Sequence, residues 1–351
     1  MGLLEKTIDC IGELDIPAME QARKRQDELT KPPGSLGRLE ELSIQVAGIT
    51  GNPRPRIDHK AIFVMAGDHG IASEGVSLYP QDVTQQMVQN ILSGGAGINV
   101  LSRHGGIRVV MTDLGIREPL PVHEGMYVKR IDPGTRNMAK GPAMTRQEAV
   151  RSVEAGIEVF EAELVKGLSL SGTGDMGIGN TTASSAITAA ITGKAVKEVT
   201  GRGTGLSDAQ FSMKVKIIEQ VLELNKPNPN DGLDVLSKVG GFEIGGIAGV
   251  ILAAAAHRIP VVIDGFISGA AALIAAVICP KSKAFMIAAH KSVESGHGHI
   301  LSFLGLSPLL TFNMRLGEGT GAALGIPIVE AAVKILNEMS TFAEAHVSEA
   351  L

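Results

Sequence analysis

Five short apolar runs, separated by longer stretches of helical pattern, constrain this chain more than any other feature. They are AIFVMA (Ala61 to Ala66), RVVMTDL (Arg108 to Leu114), LSLSG (Leu168 to Gly172), VVID (Val261 to Asp264) and AFMIAA (Ala284 to Ala289). Continuous apolar runs of this length suit strands buried on both faces, and the intervening segments are long enough for crossover helices. Together they predict an α/β fold: a three-layer arrangement around a mostly parallel sheet.

Helix boundaries can be read at several points. Thr145 with Glu148, and Ser207 with Gln210, match capping boxes. After the second, Phe211, Val215, Ile218 and Leu222 form a core stripe, with Lys214 and Lys216 off it. Near the start, Leu36, Leu39, Leu42 and Val46 form one helical face, with Ser35 as the expected cap. The first thirty residues also look helical, as does Ile328 to Ala343. Because chain ends often pack together, the expected division is an α/β catalytic domain, 31–327, and a small helical subdomain from 1–30 with 328–351. Turn residues concentrate in Asn225 to Gly232 and Ile131 to Pro142, which read as loops.

Composition narrows the function classes. At 351 residues and 44% apolar, the chain can bury a large core, which rules out disorder as its main state. With 32 basic against 37 acidic residues, the formal charge of −5 repels phosphodiester backbones. No Trp, 2 Tyr and 9 Phe leave few platforms for stacking bases, so nucleic acid is not an expected partner. Two cysteines are too few for a disulfide framework and point to a reducing cytoplasm. The opening residues show no export signal, and Phe266 to Cys279 is too short to span a membrane, so it reads as a buried helix.

In open α/β sheets, ligands bind beyond the carboxyl ends of the strands. Here those ends are polar: Gly67-Asp68-His69-Gly70, Asp113, GTGDMGIGNTT from Gly172, Asp264-Gly265 and His290-Lys291-Ser292. In the third, Gly172, Gly174, Gly177 and Gly179 lead into Asn180, Thr181 and Thr182 at a helix start, where backbone amides could cradle a phosphate. Glycines used only for tight turns are the bland alternative, and a G-x-G-x-x-G dinucleotide fingerprint is another, although its acidic partner, Glu198, is not clearly at a strand end. A second glycine loop, Gly201 to Gly205, precedes the helix bearing Lys214; that lysine either reaches back to an anion or lies on a solvated face. Third, Arg315-Leu-Gly-Glu-Gly-Thr-Gly holds Glu318 between two glycines. A carboxylate among backbone and apolar groups should have a raised pKa, as a base working near neutral pH requires; the competing reading is a cap on the following helix. Asp68, His69, His297 and His299 lack metal-ligand spacing, so no metal is expected and each histidine reads as satisfied or solvent-facing. The segment from Val261 resembles the pyrophosphate-ribose loop of type I phosphoribosyltransferases but lacks the second acid and the Thr-Gly pair, so metal-bound diphosphate is not expected.

Seven strings occur in register along nearly the whole chain: KPPGSLGRLE from Lys31, GDHG from Gly67, EGVSLYPQDVT from Glu74, GDMGIGNTT from Gly174, LNKPNPNDGLDVLSKVGGFEIGGIAGV from Leu224, DGFISGAAAL from Asp264 and RLGEGTGAAL from Arg315. With these the sequence resembles the nicotinate-nucleotide:dimethylbenzimidazole phosphoribosyltransferases. The resemblance implies a Rossmann-like core, a homodimer, no cofactor, and transfer of the phosphoribosyl group of nicotinate mononucleotide to a benzimidazole-type base in cobalamin nucleotide-loop assembly. It implies Glu318 as general base and Asp175 as auxiliary acid. For phosphate, nicotinate and ribose it implies Gly174, Met176, Gly177, Ile178, Gly179, Asn180, Thr181, Gly201, Arg202, Gly203, Thr204, Gly205, Lys214, Asp264, Ser292, Arg315, Leu316 and Gly317. For the incoming base it implies Glu74, Tyr79, Pro80, Thr84, Met87 and Leu316. Asp175 stands where many members have Glu. Tyr79 and Met87 stand where enterobacterial-type members have Ser and Gln, which implies a bulkier base pocket. A nucleotide-binding protein without chemistry and a nicotinamide-dependent oxidoreductase are the competing functions.

Overall fold

The computed structural model describes residues 2–202, 205 and 207–348. Among them are six strands: β1 (Lys60–Gly67), β2 (Arg108–Gly115), β3 (Met126–Val128), β4 (Leu170–Met176), β5 (Val261–Ile263) and β6 (Met286–Ala288). They form one sheet in the order β3-β2-β1-β4-β5-β6, with every neighbouring pair parallel. The helices of the first half are α1 (Leu3–Asp9), α2 (Ile16–Glu28), α3 (Arg38–Thr50), α4 (Asp82–Leu92), α5 (Gly97–Gly105) and α6 (Arg146–Leu164). The second half adds α7 (Asn180–Thr192), α8 (Val196–Val199), α9 (Asp208–Asn225), α10 (Gly232–Val239), α11 (Phe242–Ala256), α12 (Phe266–Ile278), α13 (Ser295–Leu304), α14 (Thr320–Glu338) and α15 (Phe342–Ala345).

The apolar runs make strands because both faces of the sheet are covered. Along β1, Ala61, Phe63 and Met65 enter one core, shared with α6, α7, α11 and α12, while Ile62, Val64 and Ala66 enter another, shared with α3, α4, α5 and α14. The three layers expected from the sequence follow from that alternation. Helices α6 and α11 touch backbone to backbone: a methyl on Gly156 would sit 2.0 Å from the carbonyl oxygen of Gly246, and one on Gly249 would sit 2.0 Å from that of Val153. Helix α14 is long and apolar enough to cross a membrane by length and composition alone, yet it packs on α3, α5 and the sheet.

Both expected capping boxes form, at Thr145 for α6 and Ser207 for α9. Other boundaries differ from expectation. The third strand runs from Leu170 to Met176, so Gly172 and Gly174 lie in β4 and not in a loop; glycine is needed there because the start of α14 presses against the strand. The short edge strand β3 gave no signal, since only Met126 of its three residues is buried. Ser35 caps nothing: α3 begins after Gly37, and the preceding turn is held by Glu40, which accepts from the Leu36 amide (3.0 Å) and the Lys31 ammonium (2.8 Å). The last long helix starts at Thr320, eight residues before the apolar pattern, and ends at Glu338; Pro327 lies inside it. The chain ends meet, with an antiparallel bridge between Leu29 and Thr341 and a bond from Arg25 Nε to the Leu336 carbonyl (2.8 Å). Helix α1 packs instead on α6 and α11, and α14 runs unbroken across 327/328.

Candidate active site

The strand order reverses between β1 and β4, which opens a crevice beyond their carboxyl ends. The two ends touch there: a methyl on Gly177 would lie 2.3 Å from the Gly67 carbonyl oxygen. Pairing of β1 with β2 shifts register at Ala66/Gly67, so the chain leaves the sheet at the crevice itself.

Glu318 sits over this crevice on the segment before α14. Its φ is +61°, and the flanking Gly317 and Gly319 also have positive φ, at +81° and +98°. The main chain of this segment lies directly on β4, since a methyl on Gly174 would come within 2.4 Å of the Glu318 carbonyl oxygen. Its side chain does not cap α14. Instead Oε2 accepts from the Ile98 amide (3.1 Å), and the Gly97 amide bonds to the same carboxylate, at the N-terminus of α5. Burial raises the Glu318 pKa, and those two amides pull it back without cancelling the rise. The residue is 5% exposed.

Asp175, at the end of β4, faces the same segment, with both carboxylate oxygens 3.4 Å from where a Gly317 side chain would begin. Its Oδ2 accepts from Asn180 Nδ2 (2.9 Å). Burial, then the charges of Asp264 and Glu243, hold Asp175 well above the usual carboxylate range against that bond, and Glu318 adds to the rise. Asp264 is the group that caps α14: Oδ1 accepts from the Ala322 amide (3.0 Å). Burial lifts Asp264 to about 7 although the amides of Ala322, Gly321, Gly319 and Gly265 oppose it. The crevice thus holds carboxyl groups that differ in their readiness to ionise, the arrangement in which acid and base roles separate.

Gly177, Ile178 and Gly179 turn the chain from β4 into α7. The N-cap of this helix is Gly179, which has no side chain to cap it, unlike α6 and α9; the Asn180 and Thr182 amides bond back to the Gly177 and Gly179 carbonyls at 3.2 and 3.0 Å. Lys214 is not off the core stripe as the spacing suggested; it is 1% exposed, and its ammonium donates to Thr181 Oγ1 (2.9 Å). Burial brings Lys214 down to about 8, and the charge of Glu294 opposes this. Gly201, Arg202, Gly205, Phe211, Glu294 and Arg315 line a cavity of about 440 Å³. The Arg202 guanidinium lies 5.4 Å from the Phe211 ring centre and pairs with Asp208. Gly203 and Thr204 lie outside the described residues. Ser292 is buried, its hydroxyl accepting from the Glu294 amide (3.3 Å).

The base segment divides. Thr84 is buried and its hydroxyl accepts from the Ile178 amide (3.1 Å), tying α4 to the β4–α7 turn. Met87 and Met176 are half-buried against the core that contains Ile98 and Ala322. Leu316 is 61% exposed and lies over Gly97 beside the Glu318 carboxylate. Glu74 is bonded to Asn137 (2.6 Å), and Tyr79 and Pro80 are exposed on the approach to α4.

Three features escaped the sequence reading. One is α5, which no motif in the sequence reading marked and whose amides hold Glu318. Another is Glu294, buried in the cavity wall; its Oε2 lies 1.7 Å from where a Gly201 methyl would sit, so a side chain at 201 would displace the Glu294 carboxylate. The third is Glu243, the buried partner that satisfies His69 as expected, with His69 Nε2 to Glu243 Oε1 at 2.6 Å. Burial works against the His69 charge, but Glu243 and then Asp68 outweigh it and raise its pKa. His297 is neutral, pushed by burial to about 3, and accepts the Ser292 amide on Nδ1. The dinucleotide fingerprint fails on geometry, because Gly172 and Gly174 are inside β4 and the acidic candidate Glu198 only caps α8.

Known proteins resemble this chain along nearly its whole length. A family model described as phosphoribosyltransferase (DBI_PRT) matches residues 11–347. A nicotinate-nucleotide–dimethylbenzimidazole phosphoribosyltransferase of Desulforudis audaxviator is 59% identical over 350 residues, covering 100% of this chain and 99% of its own. One of the same name from a Roseiflexus species is 58% identical, covering 99% of each. A crystal structure of that enzyme from Thermus thermophilus superposes with a TM-score of 0.91 at 42% identity, covering 96% of this chain and 100% of that one.

Proposed function

The chain belongs to this phosphoribosyltransferase family, and from that premise we propose that Glu318 is the base in its reaction. The activity is transfer of the 5-phosphoribosyl group of nicotinate mononucleotide to dimethylbenzimidazole or a related base, giving α-ribazole 5′-phosphate and nicotinate. An azole nitrogen attacks ribose C1′, the bond from C1′ to the pyridinium nitrogen breaks, and its electron pair neutralises the departing nicotinate ring. That leaving group needs no proton. The azole must shed its own N–H proton, and a single base suffices to take it.

One observation carries the role of Glu318: a buried carboxyl with a raised pKa, placed by a strained backbone at the switch-point crevice beside Asp175. The glycine turn at the start of α7, with Lys214 and Thr181, is the proposed phosphate site, and the cavity bordered by Arg315 and Gly201 takes the nicotinate or ribose. Thr84, Met87 and Leu316 are proposed to contact the flat base. Replacing Glu318→Gln should lower kcat by about 10² to 10⁴-fold while the dissociation constant for nicotinate mononucleotide changes less than about twofold. Turnover within about tenfold of the parent would exclude the role.

We also propose a homodimer in a reducing, cytoplasmic setting. Leu78, Tyr79, Phe312 and Leu316 are large, exposed apolar side chains on rim segments, and Cys10 and Cys279 are both free. Sedimentation velocity at micromolar protein reads the dimer directly, and a monomer mass at every concentration would count against it.

A further inference from the structure

Resting on the reading of Glu318 as the azole's base, we propose that the N-terminus of α5 is the element that positions this carboxylate and sets its basicity, with Gly97 as the positioning residue. The backbone donors of the first turn are fully assigned. The amides of Asn99 and Val100 return to the Ala96 carbonyl at 3.1 and 3.3 Å. Those of Gly97 and Ile98 go to Glu318, 220 residues away in sequence from Ile98. No side chain of α5 competes for them: Ala96 offers no oxygen, and Asn99 is turned back, its Oδ1 accepting from the Ala96 amide (3.0 Å) and its Nδ2 donating to the Ile91 carbonyl (3.0 Å). Two orphan donors of a nine-residue helix are thus reserved for one carboxylate.

Glycine at 97 keeps that approach open. A methyl there would lie 3.0 Å from Leu316 Cδ2, 3.4 Å from Glu318 Oε2 and 3.6 Å from Thr320 Cγ2. The hydrogen bond from Ile98 engages Oε2, on the side where Leu316, 61% exposed, also lies over Gly97. The charged groups facing Glu318 from other elements are Asp175 at the end of β4 and, behind it, Asp264 after β5; Arg315 is on its own segment, and the first turn of α5 has no ionisable side chain. Burial favours the protonated carboxyl, while the α5 amides favour the ionised form that accepts a proton from the azole.

Removing one amide donor should therefore make Glu318 harder to ionise. Gly97→Pro deletes an N–H at the first helical position, where proline is tolerated, and Ala96 before it is already extended (φ −79°, ψ 166°). Gly97→Ala adds the steric bulk but keeps the donor. An ester in place of the Ile98 peptide N–H removes a donor with no change of side chain, and so covers the case in which the proline variant does not fold. The readouts are the carboxyl ¹³C resonance that disappears in Glu318→Gln, followed against pH, and the acid limb of kcat. The proline and ester proteins should raise both by about one pH unit, and the alanine protein by less than about 0.3. Unchanged titration in a folded proline or ester protein overturns the proposal. A shifted titration with an unshifted kcat limb supports the positioning by α5 but refutes Glu318 as the base, so the two failures are told apart.

Discussion

Left-handed backbone at a residue with a side chain costs on the order of 1 kcal/mol or more, and Glu318 holds it between two glycines that are also left-handed. The surroundings over-determine that conformation: Gly174 lies beneath the carbonyl, and the α5 amides hold the carboxylate. Gly174→Ala should accordingly displace the base, costing about 1–3 kcal/mol in urea unfolding and at least about tenfold in kcat. Wild-type stability and activity in that variant would show that the contact does not matter. Lys214 gives a second residue-scale prediction. Its ammonium is charged below about 8 and neutral above it, so KM for nicotinate mononucleotide should rise as pH climbs through that value, while Lys214→Met should show a high KM at every pH. At this scale the sequence exposed Glu318, because two flanking glycines mark an accessible carboxylate. It hid what the carboxylate bonds to, since the competing reading of a helix cap was right in kind but named the wrong helix: the cap is on α5 and not on α14. Of the two readings for Lys214, the solvated face is excluded by its burial against Thr181, which spacing along α9 does not reveal.

The cap of α14 is supplied from another element, by Asp264 at the end of β5. Its pKa of about 7 in the folded chain lies above the ordinary aspartate value of 3.8. The native state therefore holds a proton that the unfolded chain has released between about pH 4 and 7, and stability from this group is present at low pH and lost across that window. Asp264→Asn keeps an oxygen for the Ala322 amide without an ionising group. Relative to the parent it should gain stability between pH 5 and pH 8, by roughly 1–3 kcal/mol in the difference of urea unfolding free energies. A pH-independent difference would contradict a buried, neutral Asp264. Elements with strong local signals were legible: the five short apolar runs, both capping boxes and the α9 stripe. Those set by tertiary contact were not. The three-residue β3 exists because β2 offers an edge, the glycines of β4 are extended because α14 presses on them, and α14 begins before Pro327 because its first turn is capped from β5.

For the whole molecule, the alternation of apolar runs and helices was sufficient to give a parallel sheet covered on both faces, and the strand order then dictates where a ligand can enter. Beyond that, the sequence could not tell which rim segments meet in the crevice, because Gly97, Asp175 and Glu318 converge only through the strand order and the packing of α5 against α14. The central claim is that this convergence puts the Glu318 carboxylate against the N–H of the incoming azole while the α7 turn holds the phosphate. A crystal structure of Glu318→Gln with nicotinate mononucleotide and dimethylbenzimidazole measures it most directly. The account predicts the side-chain amide of residue 318 within about 3.2 Å of an azole nitrogen and the phosphate on the turn from Gly177 to Thr181. An azole bound away from residue 318, or a phosphate held outside that turn, would contradict it.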